Sequence, residues 1–175
     1  MDIVAGPTVA TRPATPLVAP RPGRLAAAVL AAGAIAVSAS VHIPLGLPGW
    51  RGLLWLPVLV ATAVLARERP GTVSAVGAVA AVLATAGGTL PAQALPYAAA
   101  AVLLDAAIAV PAVRRHPWLL VPLAAPIHLV ALAGPLSHGA DALARAPSHL
   151  LFGLAAGVIG WAAGRATDGQ RGINL

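Results

Sequence analysis

Six long apolar stretches alternate along this chain with short segments that carry most of its charged residues and turn-forming prolines. Each stretch is near the roughly 17–25 residues that a helix needs to cross the hydrocarbon core of a bilayer. The pattern therefore predicts six membrane-spanning helices, at about 25–41, 50–66, 72–90, 94–113, 118–136 and 148–164. In the fifth, Pro122 and Pro126 are expected to kink the helix and to free backbone carbonyls.

Arginine supplies all 11 basic residues, and its distribution predicts how the helices are oriented. With the amino terminus in the cytoplasm, the inside segments hold nine of them: Arg12, Arg21, Arg24, Arg67, Arg69, Arg114, Arg115, Arg165 and Arg171. The outside segments hold only Arg51 and Arg145. Because positive charge near helix ends is retained on the cytoplasmic side, this split predicts that both termini are cytoplasmic.

The predicted fold class is an all-α integral membrane protein, a bundle of six transmembrane helices. Residues 1–24 are rich in proline and arginine, so we expect a disordered cytoplasmic segment there. Residues 25–165 form the transmembrane domain, and residues 166–175 are expected to be a short cytoplasmic tail. The predicted location is the cytoplasmic (inner) membrane, as a multi-pass protein. The abundance of alanine and arginine, with no lysine, indicates a GC-rich bacterium.

Composition narrows the classes of function. The chain is 59% hydrophobic and 9% charged, whereas soluble domains carry about 25% charged residues. The arginines are spread over loop ends and form no basic stripe, which argues against nucleic-acid binding. The lack of cysteine excludes disulfides, thiolate metal sites and cysteine nucleophiles. No phosphate loop, dinucleotide fingerprint or lipidation signal is present, and no catalytic residue is assigned.

Polar groups concentrate at the predicted outer end. The residues expected to contact a ligand are His42, Trp50, Arg51, Gln93, Tyr97, Asp105 and His149. A charged group within a span, such as Asp105, costs a few kcal/mol and usually faces a cavity or a partner. Its alternative role is a hydrogen-bonded structural carboxyl. For Trp50, the alternative role is an anchor at the membrane interface, which is also the role expected of Trp55.

Histidines and carboxylates also form a candidate metal set, which comprises His42, His128, His138, Asp141 and His149. Imidazole and carboxylate groups are normal ligands for nickel, cobalt, copper or zinc. Paired histidines on separate helices can also hold haem. For His128, which lies in the middle of a span, the simpler role is an interhelical hydrogen bond.

Small residues recur at helical spacing, as at Ala28, Ala32 and Ala36, and in the pairs Gly153/Gly157 and Gly160/Gly164. In lipid, such stripes allow helix backbones to approach closely. They predict either packing within this bundle or a docking face for another membrane subunit.

The segment VHIPLGLPGW at 41–50, followed by an apolar span and a glycine- and alanine-rich third span, resembles part of a known family. It is similar to the first external loop of substrate-binding S components of energy-coupling factor transporters. The resemblance implies that a ligand enters from outside beneath this loop. It also implies that Ala28, Ala32 and Ala36 dock a coupling membrane protein, and that separate ATPases drive transport. Membrane lipid is the remaining expected partner.

The first hypothesis is thus a membrane-embedded solute-binding subunit for uptake of a vitamin-like small molecule or a transition metal. Two alternatives stay open on the sequence. One is a metal- or haem-binding subunit of a membrane redox enzyme. The other is a non-catalytic accessory subunit of a larger membrane complex.

Overall fold

The structure is a computed structural model that describes residues 22–41, 46–133 and 141–173. The described residues are helical with short connections and contain no strand, which confirms an all-α fold. The helices are α1 (Pro22–Ser38), α2 (Gly52–Leu65), α3 (Thr72–Ala86), α4 (Pro91–Ala109), α5 (Pro111–Arg115), α6 (Leu120–His128) and α7 (Ala142–Ile173). Most of the amino-terminal segment expected to be disordered lies outside the described residues.

The helices follow the predicted apolar stretches, but several boundaries differ. The fourth stretch is divided because Val110 is extended (φ −70°, ψ 122°), and α4 therefore ends at Ala109. The cause is local, since the residue before a proline is kept out of the α-helical region, and Pro111 follows. At the other end of the chain, α7 continues to Ile173 and includes most of the segment expected to be a polar tail.

The fifth stretch is interrupted, as its prolines predicted. A 3₁₀ turn at Pro117–Leu119 precedes α6, and another at Leu129–Leu132 follows it. Prolines in this stretch donate no backbone hydrogen bond, which weakens a continuous α-helix. The change of helix type falls immediately after His128, so this histidine lies at the end of α6.

Helix α2 lies at the centre of the bundle and packs against α1, α3, α4, α6 and α7. A helix that is apolar on every side is typically buried on every side, and α2 fits this rule. Its buried residues include Trp55, Leu56, Leu59 and Val60. These side chains form the middle of the hydrophobic core.

Long-range contacts show that α2 and α7 run in the same direction and that α6 and α7 run in opposite directions. Arg67, just after α2, forms a 3.0 Å ion pair with Asp168 near the end of α7. At the opposite end of the bundle, His128 at the end of α6 contacts His149 in the first part of α7. We call the end with Arg67 the arginine end and the end with His149 the histidine end. The exposed residues Arg69, Arg114, Arg115 and Arg165 also lie at the arginine end.

Glycines of α7 allow it to approach two neighbours closely. A β-carbon placed on Gly157 would lie 2.7 Å from the Val121 carbonyl oxygen in α6. One placed on Gly160 would lie 2.5 Å from the Pro57 carbonyl oxygen in α2. Gly153 and Gly164 meet the same two helices in the same way. The glycine pairs therefore serve packing within the bundle.

The alanine stripe on α1 also faces the bundle. Ala32 is buried, and Ala28 and Ala36 are partly buried against the core. This placement favours packing of α1 on α2 and α3 as the role of the stripe. The opposite face of α1 exposes larger side chains, including Leu30, which is 72% exposed.

Large apolar side chains cover much of the outside of the bundle. They occur on all the peripheral long helices: Leu25, Val29, Leu30, Val37, Val79, Val82, Leu83, Leu95, Val102, Leu103, Leu150, Leu151, Leu154, Val158 and Ile159. Two helical segments, Pro91–Ala109 and Ala144–Gln170, are long and apolar enough to cross a membrane, and the other apolar helices are shorter. An exposed apolar surface of this extent is unusual for a soluble monomer.

Candidate functional site

Four rings from four helices pack together at the histidine end. Trp55 of α2 lies edge-on to Tyr97 of α4, with ring centroids 5.3 Å apart, and edge-on to His128 of α6 at 5.7 Å. The His128 and His149 rings are 4.9 Å apart and tilted by 35°. All four residues are buried. We call these four residues the ring cluster.

His128 is held in one orientation by α7. Its Nδ1 lies 2.8 Å from the backbone carbonyl oxygen of His149. A carbonyl oxygen only accepts hydrogen bonds, so Nδ1 carries the proton and donates. In a neutral imidazole the other nitrogen, Nε2, then has a free lone pair. Nε2 is buried and has no hydrogen-bond partner among the described residues.

His149 has a similar buried nitrogen. Its Nδ1 makes no hydrogen bond within the described part of the chain. A buried polar atom left without a partner costs about 1–3 kcal/mol. Such atoms are few in native proteins, and an ion or a water molecule often accounts for them. Two of them on adjacent rings therefore mark this cluster as a place where a ligand can be bound.

Gly49, in the turn before α2, and Gly52, the first residue of α2, lie against the two rings. A β-carbon on Gly52 would overlap the His128 Nε2, and one on Gly49 would lie 3.1 Å from the His149 Nδ1. Gly49 has φ +85°, a conformation that residues with a side chain rarely adopt. Glycine at these two positions leaves room for the two imidazole rings.

Among the described residues, the charged side chains nearest to the ring cluster lie on the surface of the protein. Arg51 is exposed, and its Nη2 donates to the Val41 carbonyl oxygen at 3.3 Å. Arg145 is exposed on the first part of α7. Inside the ring cluster, the described residues therefore present neutral imidazoles to a ligand, not charged side chains.

No protein-family model, curated protein or solved structure matches this chain. Its function is inferred from the geometry of the site.

Asp105 lies away from the ring cluster. Its Oδ2 accepts a 2.7 Å hydrogen bond from the Ser74 backbone N–H, in the first turn of α3. The N-cap residue Gly71 has no side chain to make this bond, so Asp105 caps α3 from the neighbouring helix. Its Oδ1 is buried without a partner in the described residues. Asp105 is eight residues from Tyr97 along α4, or about 12 Å.

The other predicted site residues are spread around the histidine end. Trp50 is partly buried in the turn before α2, and Gln93 is exposed in the first turn of α4. Asp141 is the N-cap of α7, where its Oδ1 accepts from the Ala144 N–H at 3.3 Å. It precedes His149 by two turns, about 12 Å along the helix. His42 and His138 lie outside the described residues.

Sequence reasoning did not assign Trp55, Gly49 or Gly52 to the site. Trp55 was expected to be an interfacial anchor, yet it is buried and contacts both Tyr97 and His128. The sequence contained one indication of their role, because Gly52 and Trp55 are three residues apart and so share a face of α2. Which rings pack against that face depends on the order of the helices around α2.

The spacing of the two imidazoles limits what they can hold together. With a metal–nitrogen bond of about 2.0–2.1 Å and about 1.1 Å from nitrogen to ring centre, two opposite ligands have ring centres about 6 Å apart. The observed 4.9 Å is shorter. The two rings therefore cannot serve as the two axial ligands of one haem in this arrangement. The distance between the two rings instead suits two imidazoles that bind one metal ion as neighbouring ligands.

Proposed function

We propose that this chain is a multi-pass membrane protein with the arginine end in the cytoplasm and the histidine end outside. The apolar side chains exposed around the bundle support insertion, because hydrocarbon is the environment in which such a surface is stable. The charges support the orientation. Arg67, Arg69, Arg114, Arg115 and Arg165 lie at one end, against Arg51 and Arg145 at the other.

We further propose that the chain is the solute-binding subunit of an uptake system of the energy-coupling factor type. Its cargo is a vitamin-like small molecule or a transition metal. The observation that carries this proposal is the ring cluster, in which the buried His128 Nε2 and His149 Nδ1 make no hydrogen bond in the described structure. The cluster lies at the end from which an external solute arrives. A coupling membrane protein and ATPases would supply the energy.

A ligand screen on the purified protein tests this proposal. A ligand that binds only the folded state stabilises it by about 2.7 kcal/mol at a concentration of 100 times its Kd. We expect a member of a panel of vitamins and divalent transition ions to raise the unfolding temperature in detergent. The increase should be lost in Trp55→Phe and retained in Trp118→Phe, because Trp118 is exposed at the arginine end.

The screen also has an outcome that contradicts the proposal. A monodisperse protein that no member of the panel stabilises is not a solute-binding subunit for these classes of cargo. Equal loss of stabilisation in Trp55→Phe and Trp118→Phe would place binding outside the ring cluster.

A further inference from the structure

We infer that His128 and His149 are the two protein ligands of one divalent first-row transition-metal ion, bound through His128 Nε2 and His149 Nδ1. This inference rests on the proposed solute-binding function and names the class of its cargo. It depends on the bonding of each ring, on the distance between the rings and on the two glycines that pack against them.

The bonding of His128 is that of a metal ligand. A histidine that binds a metal through one nitrogen usually donates its other N–H to a carboxylate, a backbone carbonyl or water. Here Nδ1 donates to the His149 carbonyl oxygen at 2.8 Å, and Nε2 is left with a buried lone pair. The carbonyl belongs to the second proposed ligand, so one hydrogen bond ties the two residues together.

The distance between the rings fits one shared ion. For an ion to which both nitrogens point through bonds of about 2.0–2.1 Å, ring centres 4.9 Å apart correspond to an angle of about 100° at the metal. This angle lies between those of octahedral and tetrahedral coordination. The distance between the ring centres therefore suits neighbouring ligands in either geometry.

Two glycines pack against the faces of the two rings. A β-carbon on Gly49 would lie 2.9 Å from the His149 Cδ2 and Cγ and 3.1 Å from its Nδ1, and one on Gly52 would overlap the Nε2 and Cε1 of His128. A side chain at either position would displace a ring, so the two glycines hold the rings in the arrangement that the ion would bridge.

The imidazole ligands determine which class of metal ion the site can bind. Imidazole suits nickel, cobalt, copper and zinc, whereas magnesium prefers oxygen ligands and keeps its water. Among the described residues, no three histidine, cysteine or carboxylate side chains are grouped to hold an ion. Water or an anionic co-ligand can complete the coordination beside the two imidazoles. A site to which the described residues contribute two ligands is suited to releasing its ion.

The test uses the full-length chain in detergent, with any affinity tag removed and metal stripped by a chelator. Binding of Ni²⁺, Co²⁺, Zn²⁺ and Cu²⁺ is measured by equilibrium dialysis, with Mg²⁺ as the control ion. We expect one transition-metal ion per chain and no Mg²⁺. Ni²⁺ or Cu²⁺ should also quench tryptophan fluorescence, because the Trp55 ring lies 5.7 Å from His128.

Matched substitutions locate the ion. His128→Asn keeps a donor for the His149 carbonyl but removes Nε2, and His149→Gln removes Nδ1. Each should weaken binding at least about tenfold. His116→Asn should leave binding unchanged, because His116 is exposed at the arginine end. Unchanged affinity in both His128→Asn and His149→Gln would overturn the inference, as would equal weakening in His116→Asn.

A measurement on the unaltered protein covers the case in which the variants fail to fold. X-ray absorption of the zinc-loaded chain should show two imidazole ligands, and fewer than two would reject the site.

Failure of the metal inference is distinguishable from failure of the proposed function. If a vitamin stabilises the protein and no ion binds, only the metal inference fails.

Discussion

Two ring nitrogens, His128 Nε2 and His149 Nδ1, are the buried polar atoms that define the candidate site. In the absence of a ligand, each reduces the stability of the fold by about 1–3 kcal/mol. The His128 ring packs against Trp55 and Gly52, and the His149 ring packs against Gly49. These two glycine positions should therefore be sensitive to the addition of even one methyl group.

We predict that Gly52→Ala destabilises the protein, because the new β-carbon would overlap the His128 Nε2. Overpacking of this kind costs about 1–3 kcal/mol. Thermal unfolding in detergent measures the effect. The control is Gly33→Ala in α1, where a β-carbon meets nothing within 4 Å. Alanine is about 0.5–1 kcal/mol better than glycine inside a helix, so the control should be no less stable than wild type. Equal stability of the two variants would contradict the prediction.

At the level of helices, α7 connects the two ends of the molecule. Its glycines allow close contact with α6 near the histidine end and with α2 further along. Near its other end, Asp168 forms the ion pair with Arg67. That pair is about one-third exposed on each side, and such pairs contribute about 0–1 kcal/mol. The close glycine contacts should therefore matter more than the ion pair for the position of α7.

We predict that Gly160→Ala moves α7 away from α2 and lowers stability by about 1–3 kcal/mol. The reason is that its β-carbon would lie 2.5 Å from the Pro57 carbonyl oxygen and 2.7 Å from the Val60 β-carbon. Gly169→Ala is a control in the same helix, since a β-carbon there meets nothing within 4 Å. Unfolding of both variants in detergent makes the comparison. If Gly169→Ala is the more damaging of the two, the close contact at Gly160 does not set the position of α7.

At the level of the whole molecule, exposed apolar surface surrounds the bundle, and charged residues mark its ends. Lipid contact around the sides and water at the two ends fit this distribution. The arrangement predicts that the two ends lie on opposite sides of one membrane. It also predicts which end is reached from outside the cell.

Cysteine labelling tests the orientation, and the chain contains no native cysteine to interfere. We expect Gln93→Cys at the histidine end to react with a membrane-impermeant maleimide in intact cells. His116→Cys and Ala166→Cys are exposed at the arginine end and should react only after the membrane is permeabilised. The opposite pattern would reverse the orientation, and labelling of all three in intact cells would reject it.

The sequence by itself determined the helical fold, the approximate position of each helix and the break in the fifth stretch. These features are local, because they follow from runs of apolar residues and from the backbone chemistry of proline. The arginine distribution, also readable from the sequence, agrees with the two ends of the bundle. His128 was recognisable as a polar group within an apolar span, and Tyr97 and His149 as polar groups at the predicted outer end.

Only the tertiary structure decided which of these groups meet. His128 and His149 are brought together because α6 and α7 pack closely at Gly153 and Gly157. Asp105 is instead paired with the first turn of α3, because α3 and α4 lie side by side. Such pairings depend on the order of helices around α2. That order is set by contacts between residues far apart in the chain, which a pattern of apolar positions does not encode.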